Sequence, residues 1–197
     1  MTYDVLIVGV GGQGVLLASR VIGEAAMREG QEVVMSEVHG MAQRGGSVSA
    51  VVRFGMGALS PLVPKAGADL IVGFEPVETY RALPYAKQGT VVVTDINRIV
   101  PMTVTGGSEM YPEVQDLLSA MRRSGLKVIS FDATQAAEEA GARVTINSVL
   151  IGAISTLGEL PISEDTLRDA LMSSVPTKAK QVNEKAYELG RRAALQR

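Results

Sequence analysis

The chain has 197 residues, enough for one domain with a sizeable core, and its net charge of −2 leaves no electrostatic footprint for nucleic acid or an anionic membrane. A composition of 46% hydrophobic and 20% charged residues argues against disorder. The chain contains no cysteine, one histidine, no tryptophan and 4% aromatics, which excludes disulfides, thiol nucleophiles, thiolate-held zinc or iron–sulfur clusters and a three-histidine metal site, and argues against a base-stacking platform.

In chain order, residues 4–9 form an apolar run that predicts a buried parallel strand. From Gly14 to about Glu29 the apolar residues keep helical spacing, and Gly30 is placed to stop the helix. Residues 31–35 predict a second strand, which completes a βαβ unit. Residues 36–46 are polar and glycine-rich and break the pattern. Residues 47–54 predict a strand with Val48, Ala50, Val52 and Phe54 on one side, and 55–67 a loop punctuated by Gly and Pro. A strand over 69–74 leads through Glu75-Pro76 into a helix to about Ala86, followed by a strand over 90–94. Residues 95–109 read as irregular with a short strand near 102–104. Then come a helix over 111–124 ended by Gly125, a strand over 126–131 and a short helix over 133–140.

Three further helices are expected. Residues 146–157 are apolar nearly all round, so that helix should be buried. Ser163 is placed to cap the next one. The last, over 178–194, is amphipathic, with Val175, Ala179, Val182, Ala186, Leu189 and Ala193 along one stripe; it packs on its own domain or faces a partner. The expected fold is a single α/β domain over residues 1–197: a Rossmann-like, mainly parallel sheet with helices on both faces and a helical C-terminal part. No uninterrupted apolar run of about eighteen residues is present and the first residues lack an export pattern, so the expected compartment is the cytoplasm.

Two segments carry the functional reading. Gly9-Val10-Gly11-Gly12-Gln13-Gly14 joins the first strand to the first helix and fits G-x-G-x-x-G. In that setting the glycines allow a tight turn, close backbone approach to a phosphate and close helix–strand packing, and the free amides at the helix start favour an anion. The dinucleotide fingerprint also asks for an acid ending the second strand. Glu37 is the candidate, but it lies late and precedes an unusual loop. The residues leave three uses open: a phosphate or other anion, NAD(P) or FAD, or a turn needed only for packing. The second segment runs from Glu37 through His39, Gln43, Arg44, Gly45 and Gly46 to Ser47, expected at the same sheet edge. Arg44 followed by two glycines suits a phosphate or carboxylate. His39 has no His or Cys companion for a metal and serves either as a titrating group or as a structural one. Asn147, opening the buried helix, either caps it or reaches the ligand crevice.

Together, the Gly-Gly-Gln-Gly loop, the Gln43-Arg44-Gly45-Gly46-Ser47 segment, Asn147 with Leu150 to Ala153, Pro176 with Lys178, and Asn183 with Ala186 to Gly190 resemble the gamma domain of the 2-oxoacid:ferredoxin oxidoreductases. The resemblance spans nearly the whole chain and is strongest to the small subunits of the indolepyruvate branch. It implies oxidative decarboxylation of a 2-oxoacid with coenzyme A to an acyl-CoA, carbon dioxide and reduced ferredoxin. It further implies that thiamine diphosphate and 4Fe-4S clusters sit on a larger alpha subunit, since this chain has neither a Gly-Asp-Gly thiamine motif nor cysteine. On this reading the chain is inactive alone, and Gly9, Gly11, Gly12, Gln13, Gly14, Glu37, Gln43, Arg44, Gly45, Gly46 and Asn147 form the candidate cofactor-binding set, with no metal site and no assigned catalytic residue. An NAD(P)-binding oxidoreductase and a non-catalytic nucleotide-sensing domain are the rival readings.

Overall fold

A computed structural model describes residues 2–39, 45–100 and 110–196. Strands β1 (Thr2–Val10), β2 (Val33–His39), β3 (Ser47–Gly55), β4 (Ala68–Gly73), β5 (Ala86–Asp95) and β6 (Lys127–Phe131) form one sheet in the order β2-β3-β1-β4-β5-β6. β1, β4, β5 and β6 pair in parallel, while β3 runs antiparallel to both β1 and β2. β2 therefore points the same way as β1, and among the described strands β3 alone is reversed. The helices are α1 (Val15–Arg28), α2 (Pro76–Arg81), α3 (Val114–Arg123), α4 (Ala133–Ala140), α5 (Ile146–Ile154), α6 (Glu164–Ser174) and α7 (Lys180–Leu195). The mainly parallel α/β architecture expected from the sequence is present.

Three differences have local causes. The βαβ unit exists, but β3 inserts between its two strands. β2 also runs on to His39, because Ser36, Glu37 and Val38 pair with Val51, Ala50 and Ser49. Ser36 and Glu37 hid this extension, since an outer strand that faces solvent tolerates polar residues that a strand buried on both faces does not. The helix after Glu75 ends at Arg81 and tightens into a single 3-10 turn over Leu83–Tyr85, where Pro84 lacks the N–H the helix would need. The strand expected near 102–104 lies outside the described residues.

Two apolar layers flank the sheet. One joins Val5, Ile7, Val52, Phe54 and Val72 to α1 and the C-terminal helices; the other joins Leu6, Val8, Ile71 and Val92 to α2 and α3. In β3 the predicted stripe Val48, Ala50, Val52 and Phe54 is buried against the first layer. All nine residues of α5 are buried, as its all-round apolar sequence predicts. Ser163 caps α6 by accepting the Thr166 N–H at 3.2 Å.

α7 lies against α5 and α4, so the C-terminal helix packs on its own sheet layer. Its buried residues are Asn183, Ala186, Tyr187, Gly190 and Ala194, a stripe rotated by about one residue from the Val182–Leu189 line read in the sequence. Small residues explain the rotation. A methyl on Gly190 would stand 1.8 Å from the Val149 carbonyl oxygen, and one on Gly152 would stand 2.0 Å from the Tyr187 carbonyl oxygen. The two backbones touch at these glycines, and the fully buried Tyr187 fills the space beside them. In an exposed helix Gly to Ala stabilises by about 1 kcal/mol. Here the sign reverses: Gly190→Ala should destabilise the chain by about 1–3 kcal/mol or more through forced separation of α5 and α7, read as a lower urea midpoint at unchanged slope.

Candidate functional site

After β1 the chain turns to the α1 face of the sheet, and after β4 it turns to the α2 face. The carboxyl ends of β1 and β4 thus flank a topological switch point, where open α/β sheets place their ligands. Gly9 is at that crevice. A methyl there would meet Phe74 Cβ at 2.7 Å and Val15 Cγ2 at 2.9 Å, so Gly9 is required by packing. Gly12 and Gly14 hold φ of +100° and +89°, left-handed values that favour glycine. Gly14 precedes α1 without a side-chain cap, leaving the first amides of a fourteen-residue helix to other partners.

Gln13 does something the sequence did not disclose. Its Nε2 donates to the Phe74 carbonyl at 2.7 Å, and its Oε1 accepts the Val10 N–H at 2.7 Å. The Phe74 N–H in turn donates to the Val8 carbonyl at 2.8 Å. One primary amide therefore bridges the ends of β1 and β4 across the switch point. Of the second segment, Gly46 is brought to the loop: the Gly11 N–H donates to its carbonyl at 2.8 Å. Gly45 adjoins it in a left-handed conformation, with φ +77°. Gln43 and Arg44 lie outside the described residues, as does the side chain of His39. Asn147 is buried beside the loop, its Nδ2 3.0 Å from where a Gly14 methyl would stand, and its Oδ1 accepts the Ser148 N–H at 2.8 Å.

Glu37 is set apart from these residues. On β2 it is exposed and pairs with Ala50 of β3, the strand that separates it from β1. Two strand spacings, about 10 Å, separate its backbone from β1. In the dinucleotide fold the ribose-binding acid ends the strand next to the first.

The loop is the shared wall of two cavities. One, about 460 Å³, is lined by Gly11, Gly12, Gln13, Asn97, Thr134 and Arg143. The other, about 340 Å³, is apolar, with Val10, Val15, Leu16 and Val48 against Gly11 and Gly12. Asn97, Thr134 and Arg143 are additions to the sequence reading. Asn97 follows the carboxyl end of β5 and Thr134 opens α4 just past β6, so their placement was available from strand ends alone. Arg143, on a single 3-10 turn before α5, carried no sequence signal. Its side chain is two-thirds exposed and meets Glu138 only at 4.0 Å, a pairing of little strength in solvent.

Buried carboxylates organise this edge from behind. Asp95 accepts the Ala133 N–H at 2.9 Å and the Thr134 hydroxyl at 2.6 Å, which fixes the start of α4. Glu75 caps α2 by accepting the Val77 and Glu78 N–H groups at 2.8 and 3.0 Å, and it also accepts from the Tyr111 hydroxyl. Burial pushes the carboxyl groups of Glu75 and Asp95 above the ordinary range. Among the described residues no group of three or more His, Asp or Glu side chains is disposed to hold a metal ion.

Fold and edge together define a class: a Rossmann-like domain whose glycine loop borders a cavity that Arg143 also lines, with the crevice itself bridged by a glutamine. The sequence matches the pyruvate ferredoxin/flavodoxin oxidoreductase family over residues 4–193, and the chain belongs to that family. The indolepyruvate oxidoreductase subunit IorB of Thermococcus kodakarensis is 45% identical over 193 residues, 98% of this chain and 96% of that protein. The gamma subunit of a keto/oxoacid ferredoxin oxidoreductase from Geobacter sulfurreducens superposes with a TM-score of 0.73 at 23% identity, over 99% of both chains. The 2-oxoglutarate:ferredoxin oxidoreductase of Magnetococcus marinus, solved with 2-oxoglutarate, coenzyme A and succinyl-CoA bound, also gives 0.73 at 22% identity, over 100% of this chain but 31% of that one.

Two predictions follow from the edge. Gln13→Glu sets a carboxylate oxygen against the Phe74 carbonyl, so it should cost about 1–3 kcal/mol at pH 7, and the loss should shrink toward pH 4 as the new carboxyl protonates. Chemical unfolding at both pH values measures it. For Glu75, a raised folded pKa means that its contribution is complete below the unfolded value of about 4.3 and is lost as pH rises through the folded value. The stability of the native chain minus that of Glu75→Gln should therefore fall as pH rises from about 4, in the same unfolding experiment.

Proposed function

We propose that the chain is the small subunit of an indolepyruvate-type 2-oxoacid:ferredoxin oxidoreductase, working with a larger alpha subunit, and that its glycine-loop edge receives the phosphate-bearing part of coenzyme A. The 45% identity to an indolepyruvate oxidoreductase subunit over nearly the full length of both proteins supports the substrate class. The observation that carries the coenzyme A reading is the convergence on one cavity of Gly11, Gly12 and the Arg143 guanidinium. The Gly11 N–H is taken by the Gly46 carbonyl, so the amide of Gly12 and the little-paired Arg143 guanidinium are the donors this cavity offers a phosphate. The Magnetococcus relative was solved with coenzyme A and succinyl-CoA bound.

Without cysteine the donor set of this chain does not fit a thiolate-held cluster. The clusters, and thiamine diphosphate with them, are assigned to the partner, which passes electrons to ferredoxin. The cytoplasm is the compartment this reading favours; no helix among the described residues is long and apolar enough to cross a membrane.

An NAD(P)-binding oxidoreductase is the rival from another class. Against it stand the insertion of β3, which moves Glu37 away from the loop, and the Gln13 bridge across the crevice. The chain should bind coenzyme A and not NAD in calorimetric titration, and Arg143→Ala should weaken coenzyme A about tenfold, the order of one charge-assisted contact. NAD binding without coenzyme A binding overturns the proposal. Co-expressed with its larger subunit and supplied with coenzyme A, the chain should support viologen reduction fastest with indolepyruvate, ahead of phenylpyruvate, pyruvate and 2-oxoglutarate. The chain alone should support none.

A further inference from the structure

The two faces of the sheet are covered unequally. α1 packs on β2 and β3 from one face; on the other face α2 lies over β1, β4 and β5, and α3 over β6. Among the described residues, the second face of β2 and β3 is met by the loop between β3 and β4 and, at Ser47, by Glu78 of α2. That leaves Val38 62% exposed on β2 and Leu62 69% exposed on the loop. Both line a cavity of about 260 Å³ with Ser36, Ser49, Val51 and Tyr85. β2 is also the outermost strand, paired on one side only. An unpaired strand beside exposed apolar side chains is a surface that natural proteins cover.

The exposure is held in place. Arg53 is bound to the buried Asp4 through two nitrogens, at 2.9 and 3.0 Å. The same guanidinium donates to the carbonyls of Ser60 and Leu62 at 2.9 and 3.0 Å, and the Ser36 hydroxyl donates to the Pro61 carbonyl at 2.9 Å. A loop pinned at three successive carbonyls presents Leu59, 89% exposed, and Leu62 in a fixed geometry. Among the described residues lining this cavity the charges are paired: Arg81 pairs with Glu78 at 2.8 Å, and Glu78 also accepts the Ser47 hydroxyl at 2.6 Å. What fits this face is an apolar surface and, along β2, an extended segment that pairs with its backbone.

We infer that this face, with the free edge of β2, is the seat of the larger subunit of the same enzyme. The inference rests on the functional reading above. Two observations favour that occupant. In the Magnetococcus enzyme the matching region is 31% of a longer chain, so there the same fold is tethered to a larger body. The face also reaches the carboxyl edge of the sheet, since Val38 and Ser47 border the segment that Gly46 joins to the glycine loop. A partner seated here is brought directly against the candidate site.

Hydrogen exchange on the native chain, alone and with its co-expressed larger subunit, tests this. Amides of residues 33–39 and 59–63 should exchange at least tenfold more slowly in the complex. The double variant Val38→Asp, Leu62→Asp should bind the larger subunit at least tenfold more weakly while keeping the unfolding midpoint of the native chain. A complex that forms with unchanged exchange over both segments overturns the docking face and leaves the functional reading standing. A dimer of this chain in sedimentation, dissolved by the double variant, overturns it in favour of a second copy. If no larger subunit associates at all, the functional reading fails, and the docking face fails with it.

Discussion

The arrangement of the site depends on one side-chain amide. Gln13 donates to Phe74 and accepts from Val10, and so ties together the two strand ends at which the chain changes face. In a dinucleotide fold this crevice stays open so that a pyrophosphate can lie across it. Here a protein amide occupies it. The loop is therefore held against β4, Gly12 is exposed in a left-handed conformation, and the loop walls two separate cavities.

The reversed strand has the second largest consequence. Inserting β3 between β1 and β2 sets the end of β2 and the start of β3 at the carboxyl edge, and the Gly11–Gly46 hydrogen bond fastens the residue before β3 to the glycine loop. The same insertion carries Glu37 away from the loop and leaves β2 as a free edge. One topological change thus sets Glu37 two strands from β1, brings Gly46 to the glycine loop and leaves β2 as an unpaired edge. These three effects suit a domain that completes a larger enzyme better than one that holds a dinucleotide alone.

Much of this was legible in the sequence where local physics decides. The apolar runs of β1, β4 and β5, the alternation of Val48 to Phe54, the Ser163 cap and the all-round apolar α5 each follow from periodicity or capping. The strand order was not legible, because nothing in β3 marks it as the strand that slips between β1 and β2. The quartet Leu150 to Ala153 and the run Ala186 to Gly190 were read as marks of the family. Their physical reason is the contact of two helix backbones at Gly152 and Gly190, which only coordinates disclose. Gln13 was read as a ligand group because it sits in a ligand loop, and its bonds turn out to be internal. Arg143 was missed because a lone arginine on a short turn carries no pattern.

The central claim is that the ligand is met at the outer side of the loop, where Gly11, Gly12 and Arg143 converge, and not across the crevice that Gln13 closes. Amide chemical shifts of the isotopically labelled chain, followed as coenzyme A is added, test it most directly. The account predicts saturable shifts centred on Gly11, Gly12, Asn97 and Arg143, with β2 little changed. Shifts centred on Glu37 and the end of β2, or none at millimolar coenzyme A, would contradict it.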